Sequence, residues 1–164
     1  MKTLIIHPED PTTTFLSTIY ANLKNKTVIK GGVSKSELRE MIEEHDRIIM
    51  LGHGPPWGLM NPDHCLDAGL YLIDESMVLP LKSKKSNIFV WCFASKFVQK
   101  HDLSGLSSGM FISEVREASS YCFENIDEDL IDQSNERFSW IISNYINQPI
   151  EILYQKLLWD VHKF

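Results

Sequence analysis

Short apolar runs alternate with helix-forming segments along the N-terminal part of the chain. Four runs are nearly continuous in Leu, Ile, Val and Phe, at residues 3–6, 27–29, 47–51 and 88–91. Runs of this length without polar alternation are typical of strands that are buried on both faces. They predict the core strands of a parallel sheet, and a fifth strand is predicted at residues 110–114.

Apolar positions at helical spacing separate these strands. Ser34 and Glu37 have the spacing of a capping box, and they predict a helix that buries Leu38, Met41 and Ile42. Further helices are predicted after Thr12, at residues 94–100, and as an amphipathic pair at the end of the chain. This alternation predicts a three-layer α/β/α sandwich with a mainly parallel sheet and flavodoxin-like or Rossmann-like strand order. We expect one domain over residues 1–164, with the helical pair of residues 128–164 packing on the sheet.

Composition excludes several classes of function. The net charge is −6 and the basic residues are scattered, whereas a nucleic-acid surface needs a basic stripe. No apolar run approaches the roughly 18 residues that a membrane helix requires. The three cysteines form no disulfide framework, which is typical of a reducing compartment and predicts a cytoplasmic protein. No metal or cofactor is predicted, because neither ligand spacing nor a nucleotide-binding motif is present.

Two of the predicted strands end beside residues that can share one reaction. His53-Gly54 follows the run at residues 47–51, and Cys92 follows the run at residues 88–91. Active groups of α/β proteins gather where parallel strands end, so an imidazole and a thiol would share one edge of the sheet. A neutral imidazole can take the thiol proton and produce a nucleophilic thiolate. The alternative is that Cys92 is a buried core cysteine and His53 belongs to a loop.

This order of motifs resembles the caspase-like (clan CD) cysteine peptidases, such as caspases, gingipains and the bacterial CHAT-domain proteases. The resemblance implies that Cys92 is the nucleophile and that His53 is the general base and acid. It also implies that the N–H groups of Gly54 and Cys92 stabilise the oxyanion. The implied partner is a peptide or protein substrate, in a single domain of bacterial type.

The resemblance also suggests substrate-binding residues. The segment after the predicted fifth strand would line the specificity pocket, which assigns Ser113, Glu114 and Arg116 to substrate binding. An acidic residue in the cleft, Glu114 or Glu117, favours Lys or Arg in the substrate, whereas Arg116 favours Asp or Glu. Solvated charges at a strand end are the alternative. Trp57 either faces the substrate or packs as a lid on the sheet edge, and packing is the favoured interpretation.

Other functions remain open at this point. The family usually has a small residue before the Cys, and often Gln, Glu or Asp before that, whereas this chain has Val90-Trp91. A catalytically inactive caspase-like binding or interaction module is therefore the main alternative to an enzyme. The sequence Gly105 to Gly109 matches G-x-S-x-G, but the predicted strand follows it, so an ordinary loop is expected. A Rossmann-like small-molecule binder is a third, remote alternative, and the oligomeric state is not predicted.

Overall fold

Strands and helices alternate in the computed structural model of the chain, which describes residues 1–62, 69–110, 112–121 and 126–161. The strands are β1 Thr3–Ile6, β2 Lys26–Ile29, β3 Arg47–Leu51, β4 Leu59–Met60, β5 Tyr71–Ile73, β6 Asn87–Val90 and β7 Gly105–Ser107. The helices are α1 Lys35–Glu44, α2 Val78–Lys82, α3 Ala94–Lys100, α4 Val115–Ser120, α5 Glu128–Tyr145 and α6 Ile150–Val161. Two 3₁₀ helices span Pro11–Tyr20 and Glu75–Met77.

Five of the strands form one sheet in the order β2-β1-β3-β6-β7, and every neighbouring pair in it is parallel. Side chains on both faces of the central strands are fully buried, including Leu4, Ile5, Ile48 and Ile49. Parallel sheets that are buried on both faces belong to layered α/β folds. The predicted α/β class with a mainly parallel sheet is therefore confirmed, and β4 and β5 form a separate antiparallel pair.

The elements with strong local signals lie where the sequence predicts them. The capping box before α1 is complete: the Ser34 N–H donates to Glu37 Oε2 at 2.8 Å, and the Glu37 N–H donates to Ser34 Oγ at 3.3 Å. Helix α1 then buries Leu38 and Ile42 against the sheet, in one core cluster with Leu4 and Ile48. Strands β1 and β3 and helix α3 have the predicted bounds.

The fifth strand of the sheet is not where it was predicted. Strand β7 is Gly105–Ser107, in the segment expected to be a loop, and the described residues between 110 and 114 are not in a strand. Residue 111 of that range lies outside the described residues. The backbone of Gly105 approaches β6 closely, because a Cβ there would overlap the carbonyl group of Asn87. Glycine permits this pairing, so the edge strand forms from a polar, Gly-containing run with one buried side chain, Leu106.

The chain divides into two compact units. The first comprises Met1–Asp10 and Leu23–Phe111 and contains the sheet. The second comprises Pro11–Asn22 and Ile112–Phe164, and in it α5 packs on the 3₁₀ helix Pro11–Tyr20 and on α6. The helix expected after Thr12 is thus a 3₁₀ helix, and the predicted helical pair is α5 and α6, with residues 162–164 outside the described part. None of the helices in the described ranges is long and apolar enough to cross a membrane.

An ion pair connects the start of α1 to the end of β5. Lys35 Nζ lies 2.7 Å from Asp74 Oδ2 and donates to the carbonyl oxygen of Leu72 at 3.2 Å. Burial raises the pKa of Asp74, but hydrogen bonds from Lys35 and Ser76 outweigh it and hold the pKa below its usual 3.8. The contact therefore stabilises the folded protein only while Asp74 is ionised.

We expect Asp74→Asn to lower the free energy of unfolding by about 1 kcal/mol at neutral pH, the upper range for a partly exposed pair. Because the folded pKa of Asp74 is depressed, the stabilisation is present above its unfolded pKa and is lost as the pH falls through its folded pKa. Urea titrations at neutral and strongly acidic pH measure this. The control is Glu40→Gln, an exposed position on α1. A loss that is equal at both pH values would contradict the ion-pair explanation.

Candidate active site

His53 and Cys92 lie at the same edge of the sheet. Strands β3 and β6 are neighbours, and their register pairs Leu51 with Val90. The Gly52 N–H extends this pairing and donates to the Val90 carbonyl oxygen at 3.0 Å. His53 and Cys92 are each two positions beyond the last paired residues, at the carboxyl ends of adjacent parallel strands. This is the backbone arrangement expected from the sequence.

His53 and Cys92 are each partly exposed. The His53 side chain is 30% exposed, and the residue Cys92 is half-buried. Full burial is typical of cysteines that serve only as core residues. The exposure of Cys92 therefore differs from that of a core cysteine, whereas its neighbours Val90 and Trp91 are both 1% exposed.

The turn that follows Cys92 has an unusual backbone. Phe93 has φ 61° and ψ 25°, in the left-handed region, which bulky residues rarely adopt. Such a conformation costs about 1–3 kcal/mol and persists only where surrounding contacts hold it, most often at functional sites. Helix α3 begins at the next residue, so Cys92 lies between the end of a buried strand and a strained turn into a helix.

The segment after β7 holds this turn in place. The Phe93 N–H donates to the carbonyl oxygen of Gly109 at 2.8 Å, and the Ser95 N–H donates to that of Ser108 at 2.9 Å. The Ser108 hydroxyl accepts from the Trp91 N–H at 3.1 Å and donates to the Trp91 carbonyl oxygen at 2.7 Å. Hydrogen bonds therefore fix the backbone on both sides of Cys92. Ser108 was not recognised from the sequence, because its position depends on the pairing of β7 with β6.

Trp91 directs its bulk into the hydrophobic core. It is 1% exposed, and its ring meets the rings of Phe89 and Phe97 edge-on at centroid distances of 5.9 and 5.7 Å. Its Nε1–H donates to the carbonyl oxygen of Pro55 at 3.0 Å. The indole therefore supports, from the core side, the loop that follows His53.

Gly54 is required by packing in that same loop. The residue is buried, and a Cβ there would overlap the carbonyl oxygen of Gly58 and lie 2.6 Å from Cδ1 of Trp91. No side chain fits in this space. The packing explains why glycine occupies the position, and the oxyanion role of Gly54 stays a prediction.

Trp57 extends from the loop into solvent. Its side chain is 56% exposed, and its Nε1–H donates to the hydroxyl of Tyr71 at 2.7 Å. Because more than half of Trp57 is exposed, it does not pack down as the lid that the favoured interpretation expected, and its hydrogen bond joins it to Tyr71 on β5. Its role as a substrate-facing residue stays a prediction.

Asp10 is a further charged group at this edge. It lies in the loop after β1, the neighbour of β3 on the other side, and its Oδ1 is 3.9 Å from Nε2 of His53. The two side chains are 29% and 30% exposed. Reasoning from single strands missed Asp10. The available signal was its position four residues after the end of a predicted strand that borders the strand leading to His53.

The other predicted substrate-binding residues lie in the second unit. Ser113 is buried, and its N–H and hydroxyl donate to Glu117 Oε2 at 2.7 and 2.9 Å. Glu114 precedes α4 in extended conformation, and Arg116 is in the first turn of that helix. These assignments depended on a strand at residues 110–114. They have lost that structural basis, since the strand beside β6 is β7.

Among the residues that the structure describes, no three His, Cys, Asp or Glu side chains are grouped to hold a metal ion. Comparison of the chain with protein-family models, curated proteins and solved structures gave no match. The functional argument therefore depends on the geometry of the sheet edge.

Proposed function

We propose that the chain is a caspase-like cysteine endopeptidase in which Cys92 and His53 act on a peptide bond. The observation that carries the proposal is the register of β3 and β6, which brings both residues to equivalent positions beyond adjacent strand ends. The partial exposure of both residues and the strained turn at Phe93 support it. The resemblance of the motif order to clan CD peptidases supplies the reaction class.

In the proposed reaction the Cys92 thiol gives its proton to His53, and the thiolate attacks the substrate carbonyl carbon. The N–H groups of Gly54 and Cys92 stabilise the oxyanion, and each such donor typically lowers the barrier by about 3 kcal/mol. His53 then protonates the leaving amine, and water releases the acyl-enzyme with His53 acting again as base. The hydrogen bonds that Trp91 and Phe93 donate to Ser108 and Gly109 keep the Cys92 backbone in one position throughout.

The burial of Trp91 favours the enzyme over an inactive binding module. The main sequence argument for inactivity is that a bulky residue before the nucleophile would crowd the oxyanion site. Because Trp91 is 1% exposed and packs on Phe89 and Phe97, its bulk occupies the core and not the solvent-facing side of the sheet edge. The proposed enzyme acts on peptides or proteins, needs no cofactor and works in the cytoplasm, where a thiol nucleophile stays reduced.

A panel of peptides with Lys, Arg, Asp, Asn or Glu before the scissile bond tests the proposal. We expect the protein to cleave one class of peptide and expect Cys92→Ala to abolish cleavage, because no other group replaces the nucleophile. Cys65→Ala and Cys122→Ala, two cysteines outside the described residues, serve as matched controls that keep activity. If no peptide is cleaved, or if cleavage survives Cys92→Ala, the peptidase proposal fails and the inactive binding module replaces it.

A further inference from the structure

The strand order gives this sheet a topological switch point. The chain moves from β1 to β2 on one side and then from β3 to β6 and β7 on the other, so the loops after β1 and β3 leave the sheet at the place where the order reverses. Ligands of open α/β sheets bind beyond the carboxyl ends of the strands at such a point. Asp10 lies in the loop after β1 and His53 lies in the loop after β3, so the switch point is between them.

The Asp10 carboxylate lies close enough to the His53 imidazole for an electrostatic interaction. Asp10 Oδ1 lies 3.9 Å from Nε2 of His53. The Asp10 side chain is 29% exposed and the His53 side chain is 30% exposed. A carboxylate at this distance attracts a positive charge that forms on the ring during the reaction. Since Nε2 lies beside Asp10, the proposed reaction assigns the proton exchange with Cys92 to Nδ1.

We infer that Asp10 is a positioning residue for His53, which makes the site a triad drawn from the loops of three adjacent strands, β1, β3 and β6. This inference rests on the proposed role of His53 as the base for Cys92. Asp10 holds the ring and stabilises the imidazolium that forms when the thiol loses its proton. It contacts no reacting atom of the substrate.

Glu9, the residue beside Asp10, provides a matched control. It lies on the same loop and carries the same charge, but its side chain is 76% exposed and pairs with Lys30 at 3.5 Å. Glu9→Gln therefore removes one negative charge from the loop without removing the group that faces His53. Asp10→Asn keeps the size of the side chain, removes its charge and replaces one acceptor oxygen with an NH₂ donor.

The test measures the rate of Cys92 alkylation by iodoacetamide near neutral pH in the folded protein, followed by peptide mapping. We expect Asp10→Asn to slow the reaction about two- to fivefold, the factor that corresponds to a partly exposed ion pair. We expect Asp10→Glu to restore part of the rate and Glu9→Gln to leave it unchanged. In the His53→Ala background, Asp10→Asn should have no further effect, because Asp10 acts through His53.

The inference is overturned if Asp10→Asn alkylates at the unaltered rate, or if it slows Cys92 equally in the presence and absence of His53. The second result would mean that Asp10 supports the loop and not the imidazole. Because the readout is thiol reactivity, it does not depend on a substrate. A protein that cleaves no peptide but shows the Asp10–His53 coupling refutes the peptidase proposal and supports this inference.

Discussion

Replacing Trp91 with Ala is expected to lower the free energy of unfolding by about 3–5 kcal/mol, the usual cost of deleting a large aromatic side chain from a core. Trp91 is 1% exposed, contacts the rings of Phe89 and Phe97, and supports Pro55 by a hydrogen bond. Its removal leaves a cavity under the loop that carries His53 and Gly54, and it leaves the Pro55 carbonyl without its donor. Urea unfolding followed by circular dichroism measures the effect.

Trp57→Ala is the matched control for this substitution. It deletes the same side chain from the same unit, but Trp57 is 56% exposed and has one described hydrogen bond, to Tyr71. We expect a loss below about 1 kcal/mol, as for surface positions away from buried networks. Equal losses for the two variants would contradict the assignment of Trp91 to the core. They would also restore the argument that its bulk faces the sheet edge.

The parts of the fold that could be predicted from the sequence have local causes. The capping box at Ser34 and Glu37 and the continuous apolar run of β3 each specify an element without help from distant residues. The positions of His53 and Cys92 at one edge followed from the same reasoning, because a parallel sheet collects the carboxyl ends of its strands.

The parts that could not be predicted depend on pairing. Strand β7 is short and polar, and its register with β6 is possible because Gly105 allows close approach to Asn87. No periodicity within residues 105–107 signals such a strand, whereas the apolar residues near 110–114 imitate one. The prediction of Ser113, Glu114 and Arg116 as substrate-binding residues was based on that strand, while the segment that contacts the Cys92 turn is Ser108-Gly109.

Asp10 shows the same limit at the site itself. Its sequence neighbourhood, between two prolines, predicts only a loop. Asp10 lies beside His53 because the strand order is β2-β1-β3, and the sequence pattern alone does not give the strand order. A site at strand ends can thus be predicted from the sequence where a reactive side chain such as His53 or Cys92 directly follows a strand. A residue further along a loop, such as Asp10, can be assigned to the site only once the strand order is known.

The measurement that tests the central claim most directly is the rate of Cys92 alkylation in the folded protein compared with the same cysteine in the urea-unfolded chain. Cys92 is half-buried, so shielding alone would make the folded protein react more slowly. If His53 takes the thiol proton, the folded protein reacts faster near neutral pH, and His53→Ala reduces its rate to below that of the unfolded chain. A folded rate below the unfolded rate, unchanged by His53→Ala, would contradict the claim that Cys92 and His53 act together.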